Sequence, residues 1–143
     1  MPYTELVSKK VGYQDGKTIW ELHEMLSWCN GIYTVVVPKG FQCDFASVPR
    51  LPVAYLLVGG MGEIAGTVHD YLYREGATVN FCGEPNYPLF RVEADEIFHH
   101  ILGEEGVSWW KRKAMYHAVR YCAGQHWQKR KVMEPFIKQE VWV

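Results

Sequence analysis

The apolar pattern of this 143-residue chain changes character once along its length. Up to about residue 40 the apolar residues fall into β-branched and aromatic runs, and from about Gly62 they recur at helical spacing. Strands first and helices after predict an α+β fold, an N-terminal antiparallel β-sheet packed against three C-terminal helices. The sharpest local signal is Asn30-Gly31, two residues that tolerate positive φ, followed by the β-branched and aromatic run Ile32 to Val37. Together they predict a hairpin feeding a strand. Ahead of it, Trp20, Leu22, Leu26 and Trp28 fit one face of a strand, whereas Ile19, Leu22 and Leu26 fit a helical stripe. The adjacent hairpin favours the strand. Pro38-Lys39-Gly40 predicts a turn.

Pro49 and Pro52 make residues 41–52 a loop, and it carries Asp44, Ser47 and Arg50. A first helix is predicted over residues 62–75, with Ile64, Val68 and Leu72 on one stripe, Ala65, His69 and Tyr73 on the next, and Gly76 as its stop. Residues 77–90, with Gly83, Pro85, Asn86 and Pro88, predict a long loop. A second helix is expected over residues 91–102, ended by Gly103. A third is expected from an N-cap at Ser108 to about Gly124, with Ala114, Ala118 and Cys122 as a small-residue seam for close helix packing.

The length suits a single domain over residues 1–143, with residues 128–143 set apart as a basic, aromatic-ended C-terminal arm. Such a chain can bury a core without a metal or a disulfide. Hydrophobic residues at 48% exclude a disordered chain. The start, MPYTELVSKK, lacks an apolar h-region, so no signal peptide is expected. Leu51 to Gly62 is too short and too Gly-rich for a transmembrane segment. Cys29, Cys43, Cys82 and Cys122 show no CxxC spacing, which predicts free thiols. The net charge of −1 hides an asymmetry. Residues 1–105 carry net −7 and residues 106–143 carry net +6. A basic segment resting on an acidic body or partner accounts for this, and nucleic acid is not expected as a partner because no base-reading motif accompanies the charge. With 6 Trp, 9 Tyr and 6 Phe, the chain has more aromatic surface than its core requires, so some rings belong to a cleft or an interface. Trp109-Trp110 reads as core or as an interface anchor.

Polar groups concentrate in three places: Asp44 to Arg50, His69-Asp70-Tyr71-Leu72-Tyr73, and Arg91 with Asp95 one helical turn on. His69 and Tyr73 share a helix face and can both reach Asp95. There they form either a buried polar network with Asp44, Ser47, Arg50 and Arg91, or a catalytic site, or a metal site. His23, His99, His100, His117 and His126 read as surface or packing residues.

Two resemblances attach to these motifs. The runs Val37 to Phe41, Asp44 to Arg50, His69 to Tyr73 and Ala94 to Phe98 resemble the domain-of-unknown-function family number thirteen-fifty-three, met mainly in tailed phages and prophages. That likeness spans roughly residues 30–127 and implies a phage origin. It suggests an accessory or virion protein of the tail or baseplate, present in the host cytoplasm during assembly and then in the virion. Its partners would be other virion proteins, or further copies held through the C-terminal arm. The second resemblance, in His69, Asp70, Tyr73 and Asp95, is to phospholipases A2. It implies a Ca²⁺-dependent lipid or ester hydrolase in which His69 activates a water, Asp95 and Tyr73 orient it, and Asp70 binds Ca²⁺ beside Gly59-Gly60-Met61-Gly62. The chain departs from those enzymes in lacking their disulfides and in its β-rich first third. Under the virion reading no cofactor is expected, and the sequence leaves open whether the chain is an enzyme.

Overall fold

The computed structural model describes residues 8–14, 17–43, 62–74 and 77–127. The predicted roles of Asp44, Ser47 and Arg50, the Gly76 stop, Gly59 to Met61 and the arm at 128–143 lie outside them. The elements follow the expected order: β1 (Ser8–Gln14), β2 (Lys17–Leu22), β3 (Leu26–Cys29), β4 (Tyr33–Val37), β5 (Gln42–Cys43), α1 (Glu63–Tyr73), β6 (Val79–Phe81), α2 (Arg91–Glu104) and α3 (Trp109–Cys122), closed by a short 3₁₀ turn at Gly124–His126. The fold is α+β. The strands form two three-stranded antiparallel sheets, ordered β1-β2-β5 and β3-β4-β6.

The β3–β4 hairpin turns at Asn30-Gly31. Gly31 takes φ 91°, and the Asn30 Oδ1 accepts the backbone N–H groups of Ile32 and Tyr33 at 2.9 and 2.7 Å. That side chain does locally what a backbone turn would do. Leu26 faces Val37 and Trp28 faces Val35 across the pair, and all four are buried, while Val36 points to solvent. This alternation seats one face of the sheet on the helices. The ambiguous segment ahead of the hairpin is strand, broken into β2 and β3 at residues 23–25. The Leu22 N–H donates to the Phe41 carbonyl and the Gly40 N–H to the Leu22 carbonyl, so the turn at 38–40, with Gly40 at φ 87°, ties β2 to β4.

Three expectations are corrected. Residues 77–90 are not all loop, because Val79–Phe81 adds β6 to the free edge of β4, with Val79 opposite Val35. A three-residue strand carries too little periodicity to be seen in sequence, and its pairing is decided by the open edge it meets. Gly103 does not end α2, which runs to Glu104. The stop is Gly106, at φ 91°. The Val107 N–H returns to the Leu102 carbonyl and the Gly106 N–H to the Gly103 carbonyl, the double closure that needs a left-handed residue at Gly106. Val107 is buried there, supplying the hydrophobic contact of that motif. Finally, the seam of Ala114, Ala118 and Cys122 is not a packing face. Ala114 and Cys122 are exposed, and α3 packs through Met115 and Val119 instead.

The core runs from Leu22, Leu26, Trp28, Val35 and Val37 of the sheets into Val68 and Leu72 of α1, Ile97, Phe98 and Ile101 of α2, and Met115 and Val119 of α3. Contacts between early α1 and late α2, and between late α1 and early α2, make the two helices antiparallel. The clearest is at the start of α1, where Gly62 sits at φ 90° and no side chain of the helix itself caps it. The Glu105 carboxylate, just past α2, accepts the N–H groups of Gly62, Ile64 and Ala65 at 3.2, 3.3 and 2.7 Å. An anion there answers both the unpaired N–H groups and the positive end of the helix dipole.

Candidate functional site

The antiparallel pairing of α1 with α2 places the two polar stripes against each other. His69 and Tyr73 lie one turn apart on α1, and Asp95 lies one turn after Arg91 on α2. His69 Nε2 stands 2.7 Å from Asp95 Oδ1, and the Tyr73 hydroxyl donates to the same oxygen at 2.6 Å. The second carboxylate oxygen, Oδ2, accepts from Arg120 Nη1 of α3 at 2.7 Å. Arg91 Nε donates to the Tyr73 hydroxyl at 3.0 Å, and its Nη2 donates to the Val119 and Arg120 carbonyls, both at 2.7 Å. One carboxylate thus gathers groups from α1 and α3 while standing on α2, and Arg91 closes the loop by satisfying carbonyls in the last turn of α3.

The centre is sealed. His69 and Asp95 are 0% exposed and Tyr73 1%. The His69 ring packs on Tyr73 and Phe98, with centroids 4.2 and 4.7 Å apart, and Trp127 lies edge-on to Tyr73 at 5.1 Å. Burial by itself would raise the Asp95 carboxyl, but the hydrogen bond and charge of His69, with Tyr73 and Arg120, outweigh it and hold the group below the usual carboxylate range. The Tyr73 hydroxyl is pushed well above an ordinary phenol, first by burial and then by the Asp95 charge it faces.

Asp70, one step round α1, is 2% exposed, and Arg74 Nη2 lies 3.7 Å from its Oδ2. Among the described residues no group of three or more His, Cys, Asp or Glu side chains converges on a point that would hold a metal. Gly62, the one described residue of the Gly-rich segment, spends its N–H on Glu105.

Sequence reasoning missed Arg120. Nothing in the run Lys111 to Lys131 marks one cation as internal. Its only signal is position, since Arg120 directly follows buried Val119 on α3 and so sits at the edge of the packed face. It missed Glu93 as well. That carboxylate accepts from the Tyr33 hydroxyl at 2.7 Å, from the Tyr87 hydroxyl at 2.9 Å and from the Phe90 N–H at 3.0 Å, binding β4, the loop after β6 and the start of α2. Burial and the Glu93 charge push the Tyr87 hydroxyl up to about 12.

No curated protein and no solved structure matches the chain. The family model described as "Protein of unknown function (DUF1353)" matches residues 20–119, a span that takes in the Asn30-Gly31 hairpin, His69, Tyr73, Arg91 and Asp95 and stops one residue short of Arg120. Carried by most of the fold and nearly all of the buried centre, that match makes the chain a member of the DUF1353 family of proteins of unknown function.

Proposed function

We propose that this chain is a phage-encoded accessory or virion protein, of the tail or baseplate, whose His/Asp centre holds three helices together and turns over no substrate. The observation that carries the structural half is the state of Asp95. Both of its oxygens are filled, by His69, Tyr73 and Arg120, and neither His69 nor Asp95 has exposed surface. A general base needs a water within reach of its imidazole and a carboxylate able to stabilise the imidazolium as it forms. Here the Arg120 guanidinium already balances the Asp95 charge, which weakens that stabilisation. The assembly half is supported by the phage and prophage resemblance.

A second reading, a Ca²⁺-dependent phospholipase-like hydrolase, is favoured by one observation: His69 and Tyr73 of one helix meet the same oxygen of Asp95 on an antiparallel partner. In that reading Asp70 would hold Ca²⁺, and the ion would supply a Lewis acid for an ester carbonyl.

One pair of measurements separates the two. Mass spectrometry of gradient-purified phage particles is expected to find the protein at fixed stoichiometry with tail components. Purified protein on mixed phospholipid micelles is expected to show no turnover that Ca²⁺ restores after chelation. Absence from particles, together with Ca²⁺-dependent release of fatty acid that His69→Ala abolishes without unfolding, would replace the first reading with the second.

A further inference from the structure

The ridge of α3 farthest from the core is aromatic. Met115 and Val119 set the buried direction. At 100° per residue, Trp110, His117 and Tyr121 project within about 40° of one another on the opposite side. Trp110 is 54% exposed, Tyr121 84%, and Trp109, at the helix start, 67%. The His117 and Tyr121 rings lie nearly parallel, with centroids 6.2 Å apart. Charge on the helix has one sign. Arg120 is spent on Asp95 and Arg112 packs against Gly103 of α2, which leaves Lys111 and Lys113 as the cations beside the ridge, with no acidic residue on the helix, and Lys111 Nζ sits 5.5 Å from the Trp110 ring centroid.

The two lysines favour an anionic occupant, and they argue against two copies meeting through this ridge, where like charges would face each other. Shape and residue type narrow the choice. The ridge is convex. A single strand of nucleic acid asks for a groove that follows its backbone, and a duplex asks for Asn, Gln or Arg presented to base edges. This ridge presents Trp, His and Tyr. Indole and phenol rings flanked by lysines suit the headgroup layer of a bilayer, where an apolar ring body and a polar edge are both accommodated and the cations meet lipid phosphates. No helix among the described residues is long and apolar enough to cross a membrane.

We infer that the Trp109–Tyr121 face of α3 docks on an anionic membrane surface, with Trp109 and Trp110 inserted at headgroup depth. This holds whether or not the buried His/Asp centre is catalytic. The test is cosedimentation of the full chain with large unilamellar vesicles, either 30% phosphatidylglycerol in phosphatidylcholine or phosphatidylcholine alone, at 100 mM salt. Partitioning onto the anionic vesicles is expected to exceed that onto neutral ones at least tenfold. Trp109→Ser/Trp110→Ser is expected to lower it at least tenfold, with the urea midpoint unchanged because both rings stand outside the core. Lys111→Gln/Lys113→Gln is expected to lower it on anionic vesicles only. No partitioning, partitioning that survives removal of both indoles, or Trp-dependent binding of a 20-nucleotide single strand tighter than binding to vesicles would each overturn the proposal. So would folded wild-type protein that self-associates through this face, read as a dimer that Trp109→Ser/Trp110→Ser dissociates.

Discussion

Replacing Asp95 by Ala removes the acceptor that three donors share, and the cost follows from how far each donor is from water. His69 and Tyr73 are 0% and 1% exposed, so water does not take the place of the lost acceptor. A buried donor left unsatisfied costs about 1–3 kcal/mol. Tyr73 keeps one partner, since Arg91 still donates to its oxygen, so its share lies at the low end. Arg120 has a side chain 28% exposed and can swing into solvent, so its loss contributes little. The small void left by the carboxylate adds a further fraction of a kcal/mol. The total is about 3 kcal/mol, or about 10 °C in Tm for a chain of this size. Urea unfolding followed by circular dichroism should show a midpoint lower by roughly 1–2 M with an unchanged slope. Asp95→Ala should also cost less in an Arg120→Met background than in the wild type, because the two groups form one network. A loss below about 1 kcal/mol, or strict additivity of the two changes, would show that Asp95 is not the node the geometry makes it.

Two further outcomes follow from the same side chains. Asp95 titrates below its unfolded value, so the native state holds fewer protons in the acid range. Its stabilisation is complete above about pH 5 and is lost as pH falls through 4 and below. Asp95→Asn should therefore flatten the acid limb of a stability-against-pH curve measured by urea unfolding, and an unchanged limb refutes the assignment. Glu105→Ala should cost about 1–2 kcal/mol at neutral pH and speed amide exchange at Ile64 and Ala65, because three N–H groups at the start of α1 lose their acceptor. Unaltered exchange there would mean that water caps the helix equally well.

Much of the centre was legible as composition and much less as connection. His69 and Tyr73 at i and i+4, and Arg91 and Asp95 at i and i+4, could be paired because helical spacing puts each couple on one face. Arg120 could not be assigned, because its neighbours in sequence are other cations and its partner is 25 residues away. The same reason hid Glu105. It reads as the end of α2, and only the antiparallel return of α1 shows it to be that helix's cap. The small residues on α3 misled for a related reason. Ala permits close approach but does not demand it, whereas Met115 and Val119 must be buried, and they decided which way the helix faces.

What the sequence determined by itself was local: the Asn30-Gly31 hairpin, the period that makes β3 and β4 strands and α1 to α3 helices, and the residue types able to build a polar centre. Each rests on interactions within a few positions, where backbone geometry leaves few choices. Tertiary structure alone decided which glycine closes α2, that Val79–Phe81 becomes a strand, that Arg120 rather than another of the basic run reaches Asp95, and that the aromatic ridge of α3 faces solvent. Those outcomes depend on which surfaces meet once apolar area is buried, a competition among distant segments that no local window of the chain contains.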